Sequence, residues 1–314
     1  MTDRPVARDW KILQQRFPFD LCLVAEEIGN DFERVIASAR SMGIEEIELG
    51  SLWGQRIDDI SFGRLVAARD ILRDHGMRVR MVATEVFKTV FLGNADADEM
   101  SLDPHYRKHM ALLRTCVEAA VFFGAPMVRV FSFRREGMVA VGNPSPRMPG
   151  GGTFPDEMVT RVAAGLAPAV REAEAAGLVV ALENVRSCWC DSGRNTRRVL
   201  DKIDSESMRA IWDPANAYAC GEEDAVEAGY AAIKSSVAHV HLKDVVVKNT
   251  ETGLTRWERI GDGDTDLGAQ LRALRDDSFD GCISLETHWA PPNSDREANT
   301  HGTYAGLVDL LDEL

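Results

Sequence analysis

Gly281-Cys282-Ile283-Ser284-Leu285-Glu286-Thr287-His288-Trp289 carries a short apolar strand that ends in a carboxylate and, two residues on, an imidazole. A buried strand gains nothing from ionisable groups unless its end opens onto a site. The deciding question is whether other strands end the same way, and three do. Val179-Val180-Ala181-Leu182 runs into Glu183, and Met208-Arg209-Ala210-Ile211-Trp212 runs into Asp213 and Asn216. Val237-Ala238-His239-Val240-His241 continues into Lys243 and Asp244.

Four further β-rich runs precede these: Leu21–Ala25, Glu46–Leu49, Val79–Ala83 and Met127–Phe131. Amphipathic stretches such as DFERVIASARSMG and LVAARDILRDHG separate the runs. Several of them stop at a glycine (Gly43, Gly76, Gly124, Gly177), where a left-handed helix C-cap is expected. Eight strands alternating with helices, and no linker dividing the chain, predict a single (β/α)8 TIM-barrel domain over residues 1–314. A doubly wound sheet competes, but no G-x-G-x-x-G follows the first strand. Two segments, 87–105 and 134–155, are longer than a barrel needs and are expected to be barrel-mouth loops that cover a site.

Composition narrows the function classes. The formal charge of −14 argues against nucleic acid as a partner. No apolar run is long enough to span a membrane, and the charged N-terminal segment does not read as a signal peptide. Six cysteines, mostly inside apolar runs, read as reduced thiols, so a cytoplasmic protein is expected, with homo-oligomerisation left open. Cys188 and Cys190 lack the spacing of a zinc knuckle.

In a barrel, chemistry collects at the C-terminal strand ends. Glu183, Asp213, His241 and Glu286 are separated by 30, 28 and 45 residues, one βα unit at each step. Three carboxylates converging without a cation would repel one another and take up protons. One divalent cation removes that cost. Mn²⁺ is the expected ion, and Mg²⁺, Co²⁺ and Zn²⁺ satisfy the same oxygen and imidazole donors.

The segments LEN, WDPANAY, HVHLKD, GDGD and SLETHW, with TEVFKT and VRVFSFRRE earlier, resemble the xylose isomerase-like TIM-barrel family of sugar (phosphate) isomerases and epimerases. The resemblance covers most of the chain and is strongest from Val179 to Trp289. It implies that Glu183, Asp213, His241 and Glu286 bind one metal ion, and that Glu183 and Glu286 act as acid and base on opposite faces of a sugar. Two positions depart from the ketose 3-epimerases: Asn216 replaces a histidine and Val247 replaces an arginine. The expected activity is therefore isomerisation or epimerisation through an enediolate, with inosose dehydratase-like or other β-elimination on the same site as the alternative. An endonuclease IV-like phosphodiesterase and a non-catalytic sugar-binding barrel are more remote.

Around this centre, Lys243 is a candidate for polarising a carbonyl, and His288 for contacting substrate. His239 points the same way as His241 and is either an orienting group or an ordinary core histidine. Asn216, Lys88, Arg129 and Arg186 are expected near the mouth as substrate contacts, with salt-bridge roles as the plainer reading. Trp53, Trp189 and Trp289 follow strands two, five and eight, where an aromatic face can stack on a sugar ring or simply pack.

Overall fold

The computed structural model describes residues 10–93, 97–136, 153–249 and 253–314. The eight apolar runs are strands: β1 (Asp20–Val24), β2 (Glu46–Leu49), β3 (Arg78–Val82), β4 (Met127–Val130), β5 (Val179–Glu183), β6 (Met208–Trp212), β7 (Val237–Leu242) and β8 (Cys282–Leu285). They pair in parallel and close into a barrel, with β1 bonded to both β2 and β8.

The alternation of side chains along each strand divides the core in two. Leu23, Ile47, Leu49, Val128, Leu182, Val240 and Ile283 face outward into the large cluster shared with the surrounding helices. Met81, Ala83, Met127, Ala181 and Ile211 form a separate, small apolar cluster. That second cluster is the barrel interior, and the rest of the interior is polar. Glu48, His239, His241 and Ser284 are fully buried there.

The helix boundaries follow from local chemistry. Gly43, Gly76, Gly124 and Gly177 adopt φ between 65° and 73°, the left-handed region that a side chain resists. The helix Pro104–Phe123 starts with proline in its first turn, and the Asp103 carboxylate caps it by accepting from the Tyr106 N–H at 2.8 Å. This corrects the reading of 87–105 as one long loop. The segment also contains a short helix, Ala97–Leu102, and Pro104 already belongs to the next helix. Of the second expected loop, residues 137–152 lie outside the described residues.

Directly after β7 the chain forms an antiparallel hairpin, Asp244–Asn249 with Leu254–Glu258. The Asp244 carboxylate anchors it, accepting from the N–H groups of Val245 (2.9 Å), Gly261 (3.0 Å), Gly263 (3.0 Å) and Thr265 (3.3 Å). A Cβ on Gly263 would lie 2.1 Å from Asp244 Oδ1, so the GDGD turn requires glycine for its approach. Asp244→Ala orphans these donors and is expected to lower stability by roughly 2–4 kcal/mol, since each buried unsatisfied donor costs ~1–3 kcal/mol and the loop recovers part of that by rehydration. A urea midpoint within error of wild type would show that the carboxylate does not hold the loop.

Candidate metal centre

Each barrel strand from β5 to β8 delivers one ionisable group to the same volume. Glu183 ends β5, Asp213 follows β6, His241 lies near the end of β7 and Glu286 follows β8. One ligand atom from each lies within 4.8 Å of all the others, and all four residues are buried. The strand ends are locked together by Asn184, the asparagine of the LEN segment. Its amide donates to the Asp213 carbonyl at 2.9 Å and accepts from the Asp213 N–H at 2.8 Å. Asp213 also caps the helix Pro214–Cys220 through the Asn216 N–H at 2.8 Å.

The imidazole of His241 supplies the test of whether these donors fit a metal. Its Nε2 pairs with Glu48 Oε1 at 3.0 Å, which fixes the ring. Its Nδ1 is buried without a hydrogen-bond partner and faces Glu286 Oε2 at 3.4 Å and Glu183 Oε1 at 3.6 Å. A histidine tethered to a carboxylate through one nitrogen, with the other directed at converging carboxylates, is the arrangement of a metal-ligating imidazole. The residues fit a divalent cation.

The electrostatics agree. Burial disfavours the imidazolium, yet Glu48, Glu286 and Glu183 outweigh burial and raise the His241 pKa well above its ordinary value. Burial pushes Asp213 up to about 6, with Glu286 and Glu183 adding to the rise and Lys243 opposing it. Burial likewise opposes ionisation of Glu183 and Glu286. Arg129 and His241 hold Glu183 low, and Lys243 and His241 hold Glu286 well below the usual carboxylate range.

Two basic side chains are built into the cluster. Lys243 forms ion pairs with both Asp213 and Glu286. Arg129 reaches Glu183 Oε2 at 3.1 Å and also donates to the carbonyls of Ala83 and Thr84. Asn216 sits in the same shell, its Nδ2 reaching Asp213 Oδ2 at 2.8 Å and Glu183 Oε1 at 3.4 Å. His288 is at the edge, 3.7 Å from Glu286 Oε1 and edge-on to the Trp257 ring. Lys88 pairs with Glu85 and lies over Phe131. Arg186 donates to the Gly253 carbonyl, at the hairpin turn.

The three tryptophans separate. Trp53 packs on Phe32 and under Arg64, and bonds Glu33. Trp189 stacks on Phe154 with Arg135 across its face. Trp289 lines a cavity beside Thr287. Sequence reasoning missed Trp257, whose ring lies 5.4 Å from the Lys243 ammonium, and Glu48, which binds His239, His241 and Ser284 together. The signal for Glu48 was present in Glu46-Ile47-Glu48-Leu49, two glutamates alternating with apolar residues in a strand that a barrel buries on both faces.

With this geometry in view, the comparisons with known proteins can be placed. The xylose isomerase-like TIM barrel family model matches residues 36–307. The chain belongs to that family. No curated protein matches the sequence significantly. Among solved structures, the family member is similar to an IolI protein with a bound zinc atom (TM-score 0.70, 15% identity, 94% of this chain and 99% of the other). It is also similar to an L-ribulose 3-epimerase (TM-score 0.67, 16% identity, 94% and 95% coverage). A third likeness is to the probable 3-DHS dehydratase AsbF from Bacillus anthracis (TM-score 0.64, 16% identity, 90% and 97% coverage). At these identities the likeness shows the barrel fold.

Two outcomes follow for the metal centre. Below the raised pKa of His241 a proton occupies the nitrogen that a metal needs, so metal affinity should climb about tenfold per pH unit until that pKa is passed, then level off. Titration calorimetry in buffers of different ionisation enthalpy should find about one proton released per ion in the climbing range. Glu48→Gln removes the charge behind His241 and should weaken metal binding about 10–100-fold. An unchanged affinity would leave Glu48 with no part in the site.

Proposed function

We propose that this protein is a divalent-metal-dependent sugar isomerase or epimerase that abstracts a proton next to a carbonyl. The observation that carries the reading is the buried convergence of Glu183, Asp213, Glu286 and the unpartnered His241 Nδ1. Mn²⁺ is the ion to test first, and the zinc in the similar IolI structure favours including Zn²⁺. When bound, such an ion supplies Lewis-acid stabilisation of the enediolate oxygens.

The chain's own groups divide the remaining work. Glu183 and Glu286 are both held ionised, so each is a proton acceptor at rest. One removes the proton from the carbon beside the carbonyl. Lys243, pinned between Asp213 and Glu286, places a fixed positive charge beside the developing oxyanion. Asn216 and Arg129 hold Glu183 in place, and His288 at the rim contacts substrate hydroxyls. Return of the proton by the same carboxylate to the neighbouring carbon gives isomerisation. Protonation from the opposite face gives epimerisation and draws the proton from solvent. Loss of a β-hydroxyl after the same abstraction would give the dehydratase outcome.

The test is NMR of the Mn²⁺-loaded protein with sugars, keto-sugars and inososes in D₂O. Deuterium should enter a single C–H position. Glu286→Gln should retain metal through the other three ligands while exchange falls by ~10²–10⁴, the usual contribution of a general base. Glu183→Gln or Asp213→Asn should remove most of the metal, and His288→Ala should mainly raise KM. Exchange persisting in Glu286→Gln at the wild-type rate would sink this assignment of the base.

A further inference from the structure

A second feature of the barrel mouth lies outside the metal cluster. Between the ends of β1 and β8 is a cavity of about 310 Å³, lined by Glu26, Glu27, Thr287, Trp289, Arg296 and Asn299. That volume is at the lower end of the ~300–1,000 Å³ typical of small-molecule sites. It begins one residue beyond the metal-ligand candidate Glu286, and Glu27 lies within electrostatic reach of Glu286 and Lys243.

The lining is built. Glu26 accepts from the Gly50 N–H at 2.9 Å, and a Cβ on Gly50 would come within 2.8 Å of the same carboxylate oxygen, so glycine there makes room for Glu26. Glu26 also lines the neighbouring cavity that contains Glu286 and Arg129, and so it stands between the two. The indole of Trp289 packs against Gly302 of the helix Arg296–Glu313, where any added Cβ would meet the ring at 2.7 Å. The Thr287 hydroxyl is buried with no hydrogen-bond partner among the described residues. No side chain among the described residues forms a hydrogen bond or ion pair with the Glu27 carboxylate.

Carboxylates able to accept from neighbouring hydroxyls, an idle hydroxyl, an amide and an indole face together suit a polyol. A buried threonine hydroxyl without a partner costs free energy that a ligand hydroxyl would recover. The charge balance selects further. Two carboxylates face one guanidinium, and Arg296 already donates to the Glu26 carbonyl at 3.4 Å, so a phosphate group would meet net repulsion. We infer that this cavity is the subsite for the uncharged, polyhydroxylated end of the substrate, which is therefore unphosphorylated there. The inference rests on the sugar chemistry proposed for the metal centre.

The test is calorimetric binding of D-sorbitol and D-sorbitol 6-phosphate to the metal-loaded full-length protein, with metal content measured for every variant. Sorbitol should bind at least tenfold more tightly than its phosphate ester. Glu27→Ala and Trp289→Ala, on separate elements, should each weaken sorbitol by about tenfold, the scale of one lost hydrogen bond to a charged group or one lost ring contact. Isosteric Glu27→Gln should cost less for sorbitol and narrow its advantage over the ester. Tighter binding of the ester, no binding of either probe, or wild-type sorbitol affinity in both alanine variants would overturn the inference. The proposed reaction fails separately, through absence of deuterium exchange, because binding of these non-reacting polyols needs no proton transfer.

Discussion

Three carboxylates, from Glu183, Asp213 and Glu286, are held in one buried volume, and much of the surrounding structure answers that concentration of charge. With ligand atoms within 4.8 Å, each like-charged pair costs about 3–4 kcal/mol at an effective dielectric constant of ~20. Three such pairs approach the whole stability of a typical domain, on the order of 5–15 kcal/mol. The cluster can therefore exist only with cations built around it. Lys243 and Arg129 are those cations, one bridging Asp213 and Glu286 and the other bound to Glu183. His241 is the third, its raised pKa showing that two fixed charges do not neutralise the site. A divalent ion on His241 Nδ1 would replace a proton with a stronger counter-charge.

Below that layer the barrel interior continues the same logic. Glu48 gathers His239, His241 and Ser284 on one oxygen, so the position of the ligand imidazole is set two residues deeper in the barrel. Burial opposes ionisation of Glu48, but the two imidazoles prevail and hold its pKa well below the ordinary range. A carboxylate that stays ionised beneath the site keeps His241 basic and therefore a good ligand. His239 is thus an orienting group, one of the two roles its position allowed.

The legibility of this arrangement in the sequence was uneven for a physical reason. Strand ends are easy to read, because an ionisable residue closing an apolar run is conspicuous, and Glu183, Asp213, His241 and Glu286 were all visible that way. Residues inside strands follow a different rule. In Glu46-Ile47-Glu48-Leu49 the alternation resembles a strand with one wet face, yet both faces are buried, and the charged one points into the barrel. The usual equation of polar with solvent-facing is inverted there, which hid Glu48. Trp257 was hidden differently. The hairpin carrying it leaves β7 and returns over Lys243 through the Asp244 anchor, a tertiary path that spacing alone does not encode. Segment 87–105 was misjudged because its short helix is too brief to show a period, although Asp103-Pro104 marked the start of the next one.

The basic residues at the mouth bear on the chemical nature of the substrate. An enzyme that grips a phosphate keeps cationic donors free of internal partners, since a guanidinium already satisfied by a carboxylate has little field left to offer. Here Lys88 is paired with Glu85, Arg129 with Glu183, and Lys243 with Asp213 and Glu286, while Arg186 is directed to the hairpin turn. The positive charge that the sequence places near the site is spent on holding the site's own carboxylates ionised. What faces outward from β1 is acidic, Glu26 and Glu27, in a protein whose formal charge is already −14. A neutral, hydroxyl-rich molecule meets this mouth without an electrostatic penalty and finds acceptors for its hydroxyl protons. An anionic one has to cross the same field with no free cation among these four residues to meet it.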